Sequence, residues 1–277
     1  MTMHTYIFHT SQLTTQQANF IAAQFKTTAQ AQDGFYSLRC EARPELTEIR
    51  QNLGIDVNVL PAGFKGDEVG LLVTDMDSTL ISIECIDEIA DMLGLKPQVS
   101  AITEAAMRGE LDFEASLTQR VALLKGLPEE ALLRVYQQRL TLNPGAEQLI
   151  AYLKTASIKL ALVSGGFTFF TDKLKQRLGL DYTLANTLEV VEGTLTGRVV
   201  GDIVGAQAKA DLLTQLSKQL SLQGHQVIAM GDGANDLLMM QQAGLSVAYH
   251  AKPTVQAQTD CQLNQAGLNA VIDLLKA

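Results

Sequence analysis

Beyond residue 69, short apolar runs recur at Gly70–Thr74, Lys159–Val163, Val227–Met230 and Leu245–Ala248. Near-continuous apolar character over so few residues is the pattern of strands buried on both faces of a parallel sheet. Stretches with helical spacing separate them, at Pro144–Thr155, Thr168–Leu178 and Ala206–Leu220. The alternation predicts an open α/β sheet, doubly wound and mainly parallel, with helices on both faces.

Two segments depart from that rhythm. Between Ile86 and Leu142 the strand signal vanishes, and "IDEIADMLGL", "QVSAITEAAMRGE", "DFEASLTQRVALLKGL" and "EEALLRVYQQRL" have helical spacing. A helical insertion, at about residues 84–142, therefore follows the first sheet strand. Thr187–Val200 is rich in β-branched residues around Glu192-Gly193 and predicts a hairpin. The N-terminal part reads as strand (Thr5–His9), helix (Thr14–Gln30), strand (Phe35–Glu41), short helix (Pro44–Leu53) and strand (Asp56–Leu60). "PAGFKGDEVG", from Pro61 to Gly70, reads as a linker. A boundary near Lys65 follows, dividing a small α+β domain (1–65) from a larger one (66–277).

Composition narrows the function. A chain of 277 residues with 47% hydrophobic and 18% charged residues can bury a sizeable core. Its apolar runs are far shorter than the roughly 20 residues of a membrane-spanning helix. No basic region followed by an apolar stretch opens the sequence, so no secretion signal is expected. The net charge of −9 and the lack of a Lys/Arg-rich tract argue against nucleic acid as a partner. Cys40, Cys85 and Cys261 are widely spaced and odd in number, which suggests free thiols and a cytoplasmic protein. An anionic ligand would need positive charge supplied locally.

Open α/β sheets bind ligands at the carboxyl ends of their strands. "VTDMDST", "LVSGG" and "IAMGDGAND" place polar residues there. Asp75, Asp77, Asp232 and Asp236 could meet at one sheet edge, where their repulsion would call for a cation; oxygen donors of this kind suit Mg²⁺. Each motif alone is equally explained as turn and cap residues, but their common register at strand ends favours a site. Ser164, with the backbone of Gly165 and Gly166, offers an anion cradle. Taken alone, Lys209 reads as a solvated helix lysine, and Glu84 and Arg120 as exposed helix charges.

The ordered set "DMDST", "VSGG", Lys209 and "GDGAND", with a helical insertion after the first, resembles the haloacid dehalogenase superfamily of aspartyl-phosphate phosphotransferases. Longer stretches, "ECIDEIA", "AMRGELDFEASLTQRVALLKG", "SGGFTFF", "GDIVGAQAKA" and "GDGANDL", are similar to the bacterial phosphoserine phosphatases within it, from Val69 to Lys276. The resemblance implies a Rossmann-like fold with an inserted helical cap. It also implies an Mg²⁺-dependent phosphatase acting on O-phospho-L-serine in the last step of serine biosynthesis. Asp75 would be the nucleophile and Asp77 the general acid and base. Asp75, Asp232 and the backbone carbonyl of Asp77 would hold the metal.

Ser164, Gly165, Lys209 and Asn235 would bind the phosphoryl group, with Asp236 and Thr79 in support. Glu84 would meet the substrate ammonium and Arg120 its carboxylate, while Met107 and Phe113 would help exclude water. Two features depart from the family pattern. Leu238 follows "GDGANDL" where Pro is common, which changes no ligand. The N-terminal part is short for the βαββαβ regulatory modules of longer members, a partial ACT-like unit at most, and its role is open, a homodimer contact included. Alternatives are a phosphatase for another phosphomonoester, a phosphoryl transferase, or a binding module that retains the fold without activity.

Overall fold

The computed structural model describes residues 3–107 and 110–277, the side chain of Met107 excepted. The N-terminal part contains β1 (His4–Phe8), α1 (Thr15–Phe25), β2 (Gln30–Ala31), β3 (Tyr36–Cys40), α2 (Leu46–Leu53) and β4 (Val57–Val59). Its strands form an antiparallel sheet in the order β2-β3-β1-β4. Strand alternation sends Tyr6 and Phe8 into a core shared with Ile21, Phe25 and Ile49 of the helices, and turns Ile7 into the core of the larger part.

The first helix is shorter than its sequence pattern suggests. A capping box between Thr14 and Gln17 starts it, and Lys26 in the left-handed region ends it. Gln30, expected at its end, pairs instead with Ser37, and Ala31 beyond it with Tyr36. The segment expected to be a loose linker is packed. Gly66 is buried against α12 (Ala270–Lys276), so closely that a Cβ would stand 2.1 Å from the Leu275 carbonyl oxygen.

The larger sheet has the order β11-β10-β9-β5-β6-β7-β8. Its members are β5 (Leu71–Thr74), β6 (Lys159–Phe167), β7 (Tyr182–Val191), β8 (Thr194–Val200), β9 (Val227–Gly231), β10 (Leu245–Tyr249) and β11 (Cys261–Leu263). All neighbours are parallel except β7 and β8, which form the expected hairpin. Two features exceed the sequence expectation: β7 begins at Tyr182 and first pairs with β6, and β11 adds an edge strand.

Both faces of this sheet are covered. Leu71, Val73, Ala161 and Ala229 meet Ala210, Leu213 and Leu216 of α9 (Ala206–Gln219). The alternate residues Leu72, Leu160, Leu162 and Ile228 pack with α7 (Ala146–Thr155), α8 (Thr168–Leu178) and α12. The insertion after β5 is helical, with α3 (Cys85–Met92), α4 (Lys96–Met107), α5 (Phe113–Ala122) and α6 (Glu130–Gln138). It is tied to the hairpin by Gly126 N–H to the Leu195 carbonyl at 2.8 Å and Glu129 N–H to the Gly193 carbonyl at 2.9 Å. β5 lies between β9 and β6, so the chain departs to opposite sides of it. That is the switch point where such sheets open a crevice.

Candidate active site

At this crevice a cavity of about 590 Å³ lies between the sheet edge and the insertion. Asp75 ends β5, buried, and its N–H donates to the Met230 carbonyl of β9 at 2.9 Å. After it the chain makes a tight loop in which Ser78 adopts φ 56°, closed by Ile81 N–H to the Met76 carbonyl at 3.0 Å. The loop carries Asp77 back over the strand end. Cys85 N–H, at the start of α3, donates to Asp77 Oδ1 at 3.0 Å, and the Ser164 hydroxyl reaches Asp77 Oδ2 at 3.4 Å.

Lys209 lies beneath Asp75 and is fully buried. Its Nζ donates to Asp75 Oδ1 and to Asp236 Oδ1, both at 2.7 Å. Burial alone would lower its pKa, but Asp236 and Asp75 outweigh that and push it up, favouring the ammonium form. Lys209 touches the cavity through Asp75 and is not on its wall. Asp236 is also held by Gly233 N–H at 3.1 Å, and Thr79 donates to Asp232 Oδ1 at 3.3 Å. Asp232 and Asn235 line the cavity.

Asp75, Asp232 and Asp236 bring one carboxylate oxygen each within 4.8 Å of the others. Desolvation, then the neighbouring Asp236, raises Asp75 well above the ordinary carboxylate range and Asp232 to about 6. Desolvation also raises Asp77. These carboxylates oppose one another's ionisation, and the donor set is made of hard oxygens, so it fits a divalent cation such as Mg²⁺. Both Asp236 oxygens are engaged, by Lys209 and Gly233, whereas Asp75 and Asp232 each engage Oδ1, with Lys209 and Thr79.

β6 ends in the Ser164-Gly165-Gly166 turn. A Cβ on Gly166 would stand 2.6 Å from Asp77 Oδ2, and one on Gly165 would stand 2.8 Å from the Phe113 ring. Glycine at both positions lets a carboxylate and an insertion residue approach the turn. Across the cavity, α5 presents Phe113, Ser116 and Arg120. Arg120 Nε donates to the Ser116 carbonyl at 3.3 Å. Burial draws its pKa down, against the fields of Asp87, Glu84 and Asp77. Glu84, just before α3, accepts from the Ser78 hydroxyl at 2.7 Å. It is open to the water of the cleft yet surrounded by protein atoms; desolvation, then Asp77, pushes its carboxyl up to about 8.

The structure thus gathers Asp75, Asp77, Asp232, Ser164, Gly165, Asn235, Glu84, Arg120 and Phe113 around one cavity, with Lys209, Asp236 and Thr79 behind them. The side chain of Met107 lies outside the described residues. Ser116, Lys252 and Thr254 also line the cavity and were not among the expected residues. Lys252 and Thr254 follow the carboxyl end of β10, so the strand-end rule that singled out the other motifs reaches them too. Ser116 carries no such signal, because its helix lies outside the sheet.

This fold and site define the class: the chain belongs to the haloacid dehalogenase-like hydrolase family, whose model matches residues 72–241. Among curated relatives, the phosphoserine phosphatase of Polaromonas sp. is 53% identical over 228 residues, 80% of this chain and 97% of its own length. A HAD family hydrolase from Salmonella enterica serovar Typhi superposes with a TM-score of 0.92 at 34% identity, covering 99% of this chain and 98% of its own. A phospho-aspartyl intermediate analogue of phosphoserine phosphatase matches with a TM-score of 0.70 at 41% identity, over 74% of this chain and 98% of its own.

Proposed function

We propose that this chain is a phosphoserine phosphatase, a phosphoric monoester hydrolase that releases L-serine and phosphate from O-phospho-L-serine. The observation that carries the reading is the composition of a single cavity. Asp75, Asp77 and the Ser164-Gly165 turn stand on the sheet side, and Glu84 and Arg120 on the insertion side. A phosphoryl group suits the first half. The second offers one carboxylate and one guanidinium, a pair complementary to the ammonium and carboxylate of an amino acid.

In this reading Asp75 attacks phosphorus through one carboxylate oxygen. The P–O bond to serine breaks, and Asp77 delivers its proton to the departing oxygen, giving an aspartyl-phosphate. Asp77, now a carboxylate, takes a proton from water, which displaces phosphate from Asp75 and restores both groups. The buried environment that raises Asp77 provides the protonated form that the first step needs. Ser164, Gly165 and Asn235 hold phosphoryl oxygens, while Lys209 fixes Asp75 and keeps positive charge under the reacting centre.

Mg²⁺, held by Asp75, Asp232 and the Asp77 carbonyl, supplies when bound the charge that offsets repulsion between the carboxylates and the phosphate dianion. Phe113, against Gly165, helps exclude water. The cell compartment proposed is the cytoplasm and the process serine biosynthesis, which agrees with three buried, unpaired cysteines. No described helix is long and apolar enough to cross a membrane. The division at about residue 65 into a small N-terminal domain and a phosphatase domain is proposed on the two separate sheets.

A substrate panel tests the reading: phosphoserine, phosphothreonine, phosphoethanolamine and a sugar phosphate, each with Mg²⁺ and with a chelator. Phosphate release should be metal-dependent and fastest from phosphoserine. Equal rates across the panel would overturn the amino-acid assignment.

A further inference from the structure

Asn186 lies in the middle of β7 with 1% of its surface exposed, and it is not on the cavity wall. An amide buried this deeply persists only where its donors and acceptors are matched. Here both ends are engaged. Its Nδ2 donates to the Gly165 carbonyl at 2.8 Å, and its Oδ1 accepts from Val204 N–H at 2.8 Å. The first partner belongs to the Ser164-Gly165-Gly166 turn; the second stands just before α9, the helix that carries Lys209.

The position follows from a fault in the sheet. The β6/β7 pairing shifts register between Val163 and Phe167, so the turn leaves the regular ladder. Asn186 supplies through its side chain what the ladder does not, a donor for the Gly165 carbonyl. The peptide joining Gly165 to Gly166 is then fixed at both ends, because Gly166 N–H donates to Ser164 Oγ at 2.8 Å. With that lone pair engaged, the Ser164 hydroxyl turns to Asp77 Oδ2 at 3.4 Å. On the other side, Lys209 N–H donates to the Gly205 carbonyl at 3.1 Å, and Lys209 Nζ holds Asp75. One buried amide therefore stands behind the supports of both Asp75 and Asp77. The same two segments seat Phe113: its ring lies 2.8 Å from a Cβ built on Gly165 and 3.5 Å from one built on Gly205.

We propose that Asn186 is a positioning residue for phosphoryl transfer, setting the phosphate-binding turn and the Lys209 helix in a single register. It touches no substrate. The inference rests on the phosphatase reading, but it concerns the phosphoryl end of the site, so its effect does not depend on which alcohol carries the phosphate.

The test compares Asn186→Ala and Asn186→Asp with the unmodified chain, using phosphoserine, p-nitrophenyl phosphate and inhibition by inorganic phosphate at saturating Mg²⁺. Asn186→Asp is nearly isosteric, keeps the acceptor for Val204 and, as a carboxylate above its pKa, loses the donor to Gly165. Both variants should lose roughly 10- to 100-fold in kcat, by the same factor for both substrates, because displaced reacting groups are costly. Inhibition by phosphate should weaken in parallel. A lower melting temperature, with kcat and phosphate inhibition unchanged in the fraction still folded at assay temperature, would reduce Asn186 to a structural core residue and overturn the proposal. So would an unchanged Asn186→Asp if Asn186→Ala does not fold. Should the unmodified chain release no phosphate from phosphoserine but do so from p-nitrophenyl phosphate, the substrate reading fails and the test of Asn186 still stands.

Discussion

On the floor of the cavity Lys209 spans Asp75 and Asp236, Asp77 is clasped by Cys85 N–H and Ser164, and Asn186 braces the turn from behind. On the insertion wall Arg120 bonds to Ser116 of its own helix, and Glu84 to the nearby Ser78 hydroxyl. Apart from the Cys85 contact, the floor is cross-linked by residues 21 or more apart in sequence, whereas the polar groups of the wall bond to residues no more than six away. Preorganised groups on the floor suit charge development at phosphorus, which gains most when the supporting groups need not reorganise. A wall with local bonds leaves its charges available to a ligand. In the proposed function, chemistry is built into the sheet edge and recognition is delegated to the insertion.

Removing the proposed nucleophile should have the largest effect. Asp75→Asn should lower kcat on the order of 10⁴-fold for every phosphomonoester tested, since groups acting as a unit fail together. Phosphate release would be measured on protein checked by mass spectrometry for reversion through deamidation. Activity near that of the unmodified chain would remove Asp75 from the reaction.

Changing the wall should do less, and selectively. Arg120→Ala is expected to raise KM for phosphoserine by ~10- to 100-fold, the worth of a charged hydrogen bond, with little change for p-nitrophenyl phosphate. An equal change for the two substrates would place Arg120 with the floor.

The smallest expected effect is electrostatic. In metal-free protein Asp232 is raised from 3.8 to about 6 and Glu84 from 4.5 to about 8, each chiefly by desolvation. The unfolded chain loses these protons near its ordinary values while the folded chain keeps them longer. Between about pH 4 and pH 8 the folded state binds more protons, so stability should fall as pH rises. A divalent cation favours the ionised carboxylates and opposes that fall. Mg²⁺ should therefore raise the melting temperature by more at pH 8 than at pH 5; an equal rise at both would show that the carboxylates are not its ligands.

The residues legible from the sequence are those that a strand end places by local geometry. Asp75, Ser164 and Asp232 each follow an apolar run, and alternation along a parallel sheet brings such residues to one edge. Arg120 and Glu84 were not legible in that way, because a charge on a helix looks the same whether it faces solvent or a ligand. They were reached through similarity of longer stretches to a family. Asn186 carried no signal at all: it lies just before the expected hairpin, and its strand and the register fault beside it are seen only in the structure.

The N-terminal part shows the same limit. Its strands and helices follow from alternation and capping, yet its attachment to the larger sheet depends on Asn58, whose side-chain amide exchanges both hydrogen bonds with the Gln262 backbone, at 2.9 and 3.0 Å. Asp56 similarly accepts from the backbone N–H groups of Asn264, Gln265 and Ala266. Nothing near either residue in the chain announces those partners. Most of the strands and helices, the helical insertion and the strand-end acids were legible in the chain, since these depend on contacts within a few residues; the short strands β2 and β11 were not. Which charges share a cavity, which amide braces the Gly165 turn and how the two sheets join were settled only on folding, because those depend on groups far apart in sequence, such as Asp56 and Ala266, 210 residues apart.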